Sequence, residues 1–197
     1  MKEKKHTLHI WELALIAALF AGLVTGLWAQ KAQAAVASEL VRLHVQAKDD
    51  TPEEQRVKLA VRDEVLEYLQ PVLAEAQNKA QAQALLDDCM EDIRAAAMTA
   101  AGDRQVAVTL TEEFYPTRVY EDFSLPAGRY TSLRVILAEG NGQNWWCVVY
   151  PPLCTELAME AMDVLSDETE SIILQKDGYV YKFKILELFG ELQAKFQ

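Results

Sequence analysis

From Leu13 to Gln30 the chain runs eighteen residues without a charge, "LALIAALFAGLVTGLWAQ". No polar stripe interrupts it at helical spacing, so it does not read as an amphipathic helix resting on a core. Lys2, Lys4 and Lys5 precede it, and Ala32-Gln33-Ala34 and Ala35-Val36-Ala37 follow it. A basic start, an apolar run and a small-residue A-x-A site are the order of a secretory signal. The run is also long enough to span a bilayer, which takes ~20 residues. Residues 1–37 are therefore expected to be a signal peptide or an N-terminal membrane anchor. Residues 38–197 form a single extracytoplasmic domain, and the lysines stay on the cytoplasmic side.

Beyond this segment the period changes. Leu40 to Gln46 alternates apolar and polar residues and predicts a half-buried strand. Thr51-Pro52-Glu53-Glu54 reads as a capping box with proline at the first helical position. It predicts a helix from Pro52 to about Leu69, limited or kinked by Pro71. Val57, Val61, Val65, Tyr68 and Val72 make one apolar stripe on it, and Leu59, Leu66, Leu69 and Leu73 another. Lys58 and Arg62 project between the stripes. They either snorkel over the apolar surface or are held for a carboxylate, which cannot be Asp63 if that side chain points elsewhere on the helix. Asn78 to Ala101 predicts a second helix, ended by Gly102.

Val106, Val108 and Leu110 then alternate with polar residues. "RVYEDFSL" and "RYTSLRVILAE" flank a Pro126-Ala127-Gly128 turn, and "NWWCVVY" follows a turn at Gly140-Asn141-Gly142. Pro151-Pro152 takes the chain out of the sheet. Thr155 to Leu165 reads as a short helix and Ser166 to Glu170 as an acidic solvated loop. Ile172–Gln175 and Tyr179–Lys184 read as a hairpin around Asp177-Gly178, and Ile185 to Phe196 as a final helix. The expected fold is α+β: an antiparallel meander of about four to six strands, to which Leu40–Gln46 can add, with two helices on one face and a C-terminal helix.

The net charge of the 197 residues is −11. Excluding the first 34 residues leaves 15 basic and 28 acidic side chains, so the body is more acidic still. Such a body repels phosphate backbones, which argues against nucleic-acid binding. Candidate chemistry is sparse. His6 and His9 precede the apolar run and His44 stands alone on a strand. No metal framework, P-loop or nucleophile-elbow pattern occurs, so neither metal nor cofactor is expected. A Cys147 or Cys154 nucleophile would need His44 as its base. Cys89 lies in a helical pattern as a small hydrophobe.

Cys147 and Cys154 are separated by a strand end and the Pro-Pro bend, on the oxidising side of the membrane. They are expected to form a disulfide, whose loop closure stabilises by roughly 2.5 kcal/mol when strain is low; two buried thiols satisfy the same spacing. Trp145 and Trp146 point to opposite faces of a strand, so one enters the core and the other is either covered or available as a binding anchor.

The segments "LVRLHVQAKDD", "VKLAVRDEVLEYLQPVL", "FYPTRVYEDFSLPAGRYTSLRVILAEGNGQNWWCVVYPPLC" and "YKFKILELF" resemble the stage II sporulation protein R family of endospore-forming bacteria, over nearly the whole exported body. The resemblance implies a signalling protein rather than an enzyme, secreted across the forespore membrane into the intermembrane space or anchored there. Its implied partner is the extracytoplasmic part of a membrane-embedded sporulation aspartic protease of the mother cell, which processes the sigma-E precursor. Membrane contact runs through residues 13–30 if the segment is uncleaved; no nucleic acid or small-molecule substrate is implied. Candidate contact residues within the matching motifs are Arg42, Lys58, Arg62, Asp63, Arg134, Asn144, Trp145 and Trp146. The alternative reading is an extracytoplasmic cell-wall hydrolase using Cys147 or paired carboxylates.

Overall fold

The computed structural model describes residues 9–120, 123–153, 162 and 164–174. The uncharged run is helical throughout: α1 spans Ile10–Glu39 and continues past Gln30 without a break. Strand β1, Val41–Gln46, follows at once. Helix α2, Pro52–Leu73, starts where Thr51 accepts a hydrogen bond from the Glu54 amide. The capping box is only half formed. The Thr51 amide donates to Asp49 Oδ1 at 2.9 Å, because the Glu54 carboxylate is committed to Arg104 at 2.6 Å. Pro71 lies within α2 and does not end it: near a C-terminus the turn that accommodates its ring has little helix left to disturb.

The expected helix over 78–101 is two helices, α3 (Lys79–Asp88) and α4 (Met90–Ala101), interrupted at Cys89 with φ −106° and ψ 19°. Glu91 and Asp92 suit the fresh N-terminus of α4, whereas Asp87 and Asp88 stand unfavourably at the negative end of α3. Gly102, at φ 63°, ends α4 as expected.

The remaining strands are β2 (Val106–Tyr115), the short hairpin β3 (Arg118–Val119) and β4 (Ser124–Leu125), β5 (Gly128–Leu137) and β6 (Asn144–Tyr150). The four-stranded sheet has the order β2-β5-β1-β6. It is mixed rather than an antiparallel meander, since β1 runs parallel to β5 and antiparallel to β6. The first strand takes the centre because it is apolar enough to be covered on both sides: Val41, Leu43 and Val45 face one way, Leu40, Arg42 and His44 the other, and all are buried. The half-buried strand expected from its alternation is thus a central one. The β5–β6 connection must then cross the end of β1. It does so with the Asn141 and Gly142 amides donating to the Lys48 and Ala47 carbonyls. A Cβ on Gly142 would stand 2.3 Å from the Asp49 carbonyl oxygen, so glycine is required by close approach.

Helices α2, α3 and α4 cover one sheet face. Val61, Val65, Leu69, Leu86, Ile93 and Ala97 pack there on Val41, Leu43, Val45, Leu133, Val135 and Cys147. Each such valine or leucine contributes about 1.5–3 kcal/mol relative to exposure. Among the described residues the other face is covered at one end only, by Val36 of α1, Phe123, Leu125, Leu153 and Ile173 on Tyr115, Tyr130 and Val148. Ser166–Glu170 is not a loop. Helix α5, Asp167–Leu174, begins there, with Ser166 Oγ accepting from the Thr169 amide, which removes Ile172–Leu174 from the expected hairpin. Of the expected helix Thr155–Leu165 only Met162, Val164 and Leu165 are described, and the expected elements at 179–184 and 185–196 lie outside the described residues.

Candidate functional site

The end of the second sheet face that no described residue covers gathers side chains remote in sequence. The register sets Arg134 beside His44 and His44 beside Trp146, with Gln46 beside Asn144 in the next row. Period-2 alternation puts all of these on one surface. His44 is the hub. Its Nδ1 lies 2.9 Å from Glu113 Oε1, reaching over from β2, and its Nε2 lies 2.7 Å from Asn144 Oδ1. Ser132 Oγ donates to Glu113 at 2.9 Å, and Arg134 Nε lies 3.3 Å from the same carboxylate. Burial alone would raise the Glu113 carboxyl, but the His44 hydrogen bond and charge, with Ser132 and Arg134, outweigh it and hold the group below the ordinary glutamate range.

Trp146 roofs this network. Its ring lies 5.7 Å from His44 on one side, and the Arg118 guanidinium sits 3.8 Å from its centroid. It is half-buried, held by neighbours on both sides. Beneath it Arg42 is fully buried. The Arg42 guanidinium lies 3.9 Å from the Tyr115 centroid and donates to Tyr120 Oη at 2.8 Å, while Nη1 has no hydrogen-bond acceptor among the described residues. Aromatic faces stand here where a carboxylate would be expected for a buried cation. Arg42 is therefore the foundation of the patch, out of reach of a partner.

Trp145 lies on the opposite face, as a regular strand demands, at the edge of the helix-covered core. The Arg62 guanidinium stands 5.0 Å from its ring and pairs with Asp63 at 2.6 Å. The expectation that Arg62 would find its carboxylate on another element is wrong: a side chain this long wraps around the helix surface to its own neighbour. Lys58 does not snorkel outward. It is buried and donates to the Gln55 Oε1 and Gln143 carbonyl oxygens at 2.6 and 3.2 Å. Burial lowers its ammonium below the lysine range. The candidates thus divide, with Arg42, Arg134, Asn144 and Trp146 joined on one face and Lys58, Arg62, Asp63 and Trp145 on the other side of β6. Sequence reasoning missed His44 and Glu113 as members. His44 had been set aside as solitary, and only the cross-strand register reveals its partners.

The cysteines resolve in part. Cys89 is a free, half-buried thiol at the α3–α4 junction. Cys147 is fully buried and faces the helices beside Leu43. His44 projects from the other side of the sheet, so a Cys147–His44 pair for a cysteine hydrolase does not form. Cys154 lies outside the described residues. Among the described residues no three His, Cys, Asp or Glu side chains cluster closely enough to hold a metal ion.

Residues 37–160 match the family of stage II sporulation protein R. Stage II sporulation protein R of Bacillus subtilis (strain 168) is 28% identical over 152 residues, covering 74% of this chain and 68% of the relative. No solved structure matches the chain.

Proposed function

Because the chain belongs to the stage II sporulation protein R family, we propose that it is a non-catalytic signalling protein exported from the forespore into the space between the two septal membranes. There it activates the membrane-embedded aspartic protease of the mother cell, which processes the sigma-E precursor. The observation that carries this reading is the Trp146 patch: a half-exposed indole, Asn144 and Arg134 fixed by the His44–Glu113 network. A preordered aromatic and polar surface of this kind suits recognition, because little side-chain freedom is lost when a partner covers it. It supports binding better than turnover, since His44 Nε2 is engaged by an amide oxygen rather than by a nucleophile.

Activation without covalent change requires the activator to favour the active arrangement of its partner. A shift from one to ninety-nine per cent active needs a differential affinity of ~5.5 kcal/mol. A central tryptophan can supply ~2 kcal/mol or more of that, and the flanking Arg134 and Asn144 add polar contacts. Cys147 and Cys154 are proposed to pair as a disulfide, pinning the end of β6 and hence the seat of the two tryptophans.

The test is co-expression of the exported chain with the protease and the precursor. Precursor cleavage should depend on this chain. Cleavage that proceeds equally in its absence, or with a form kept in the cytoplasm, overturns the proposal.

A further inference from the structure

The A-x-A motifs after the apolar run leave open whether the N-terminal segment is removed. The packing of α1 bears on this directly. Among the described residues its first two thirds find little cover: Ile10, Trp11, Leu13, Leu15, Ile16, Leu19, Phe20, Leu23, Val24 and Leu27 are all exposed, Ile10 at 87% and Leu27 at 67%. Its last third belongs to the folded body. Ala29 and Ala32 are buried against Ile172 of α5, and Val36 is fully buried in the second core cluster. Gln33 Nε2 donates to the Arg129 carbonyl at 3.0 Å, and Lys79 Nζ donates to the Ala37 carbonyl at 2.7 Å. The Glu39 carboxylate accepts from the Ser166 amide and hydroxyl and from the Thr169 hydroxyl, capping α5. Gly128 completes the fit: a Cβ there would fall 2.2 Å from Gln33 Cδ. The sheet omits a side chain so that α1 can pass.

Cleavage after Ala34 would remove the contacts of Ala29, Ala32 and Gln33, and cleavage after Ala37 those of Val36 and the Ala37 carbonyl as well, leaving Tyr115, Tyr130 and Leu125 with part of their cover gone. The bare part of the helix has the proportions of a membrane span. Trp11 and Trp28 stand ~25 Å apart along the axis at 1.5 Å per residue, close to the ~30 Å hydrocarbon core whose borders tryptophans favour.

We infer that α1 is retained as a bilayer anchor, its last turns serving as part of the domain, so that the body works from the membrane surface rather than free in solution. One rigid helix joins both environments. Gln33 lies only ~7–8 Å beyond Trp28 along the axis, so the start of β5 at Gly128–Arg129 sits at headgroup level. The anchor is needed to hold the body there, because a body this acidic is repelled by anionic lipid.

The inference deepens the proposed function by specifying how the activator is presented, and it rests on export but not on the protease. Its test uses the full chain, expressed in an endospore-forming host. Intact-mass measurement should find Leu13–Gln30 still attached, and the protein should remain with membranes after high-salt and alkaline washes. A soluble chain starting at residue 35 or 38 overturns it. Independently, Gly128→Ala should lower the melting temperature of the detergent-solubilised full chain, and Gln33→Ala in the same chain should restore most of the loss. An equal loss with and without Gln33 would show that α1 is not built into the domain. A processed chain that still drives precursor cleavage refutes the anchor alone. An intact, membrane-held chain that does not drive it refutes the function alone.

Discussion

Trp145 and Trp146 are adjacent in sequence and differ in every contact that matters. Trp145 borders the helix-covered core, so Trp145→Ala should cost about 3 kcal/mol in a denaturant titration, in the range for truncating a large aromatic. Trp146 lies between His44 and Arg118 on the second sheet face. Trp146→Ala should keep most of the stability and lower precursor cleavage at least tenfold; if both variants merely unfold, the contact surface lies elsewhere. Glu113 gives a pH signature. Its native carboxyl titrates below the ordinary value of 4.5, so its contribution to stability is complete above that value and is lost as the pH falls through the native one. Glu113→Gln should remove this part of the acid sensitivity, seen as a flatter plot of unfolding midpoint against pH below 4.5. Trp145 and Trp146 were legible in the sequence because a strand's alternation is local. His44 was not, because Glu113 and Asn144 lie 69 and 100 residues away.

At the scale of elements, signals carried by a few neighbouring residues were readable. Thr51-Pro52 starts α2, Gly102 ends α4, and β6 stops at Tyr150 before the two prolines. What failed depended on partners. Glu54 looked like the second half of a capping box, yet it ties the start of α2 to Arg104 at the entrance to β2. Here the Arg104 hydrogen bonds outweigh burial and hold the Glu54 carboxyl low. Arg104→Met should therefore cost about 2 kcal/mol, because it leaves a buried carboxylate without its charged donor, and Glu54→Gln should cost less; urea midpoints compare the two. The end of β6 carries the cysteine expectation. Thiol labelling of the exported protein should modify Cys89 and neither Cys147 nor Cys154 until a reductant is added. Labelling of both without reduction removes the disulfide.

For the whole molecule, α+β character followed from the change of period along the chain, whereas the mixed topology did not. Nothing local in "LVRLHVQ" states that its neighbours are β5 and β6; only two-sided burial selects the centre of the sheet. Because the two core clusters meet across the same strands, they should unfold together. With Trp11 and Trp28 changed to phenylalanine, variants retaining only Trp145 or only Trp146 should show unfolding transitions of the same steepness, each coinciding with loss of its own helical signal. Separated transitions would show two independent units. Under the proposed export, the central place of β1 also sets an order of events for a chain that crosses the membrane as an extended thread. Its first strand emerges early, but its partner Thr131 follows about ninety residues later and Tyr150 later still, so the sheet cannot close until most of the chain is through. Translocation and folding would thereby be kept apart in time: the early part would stay pliable enough to be threaded, and the proposed signal would become competent only when its delivery is nearly complete.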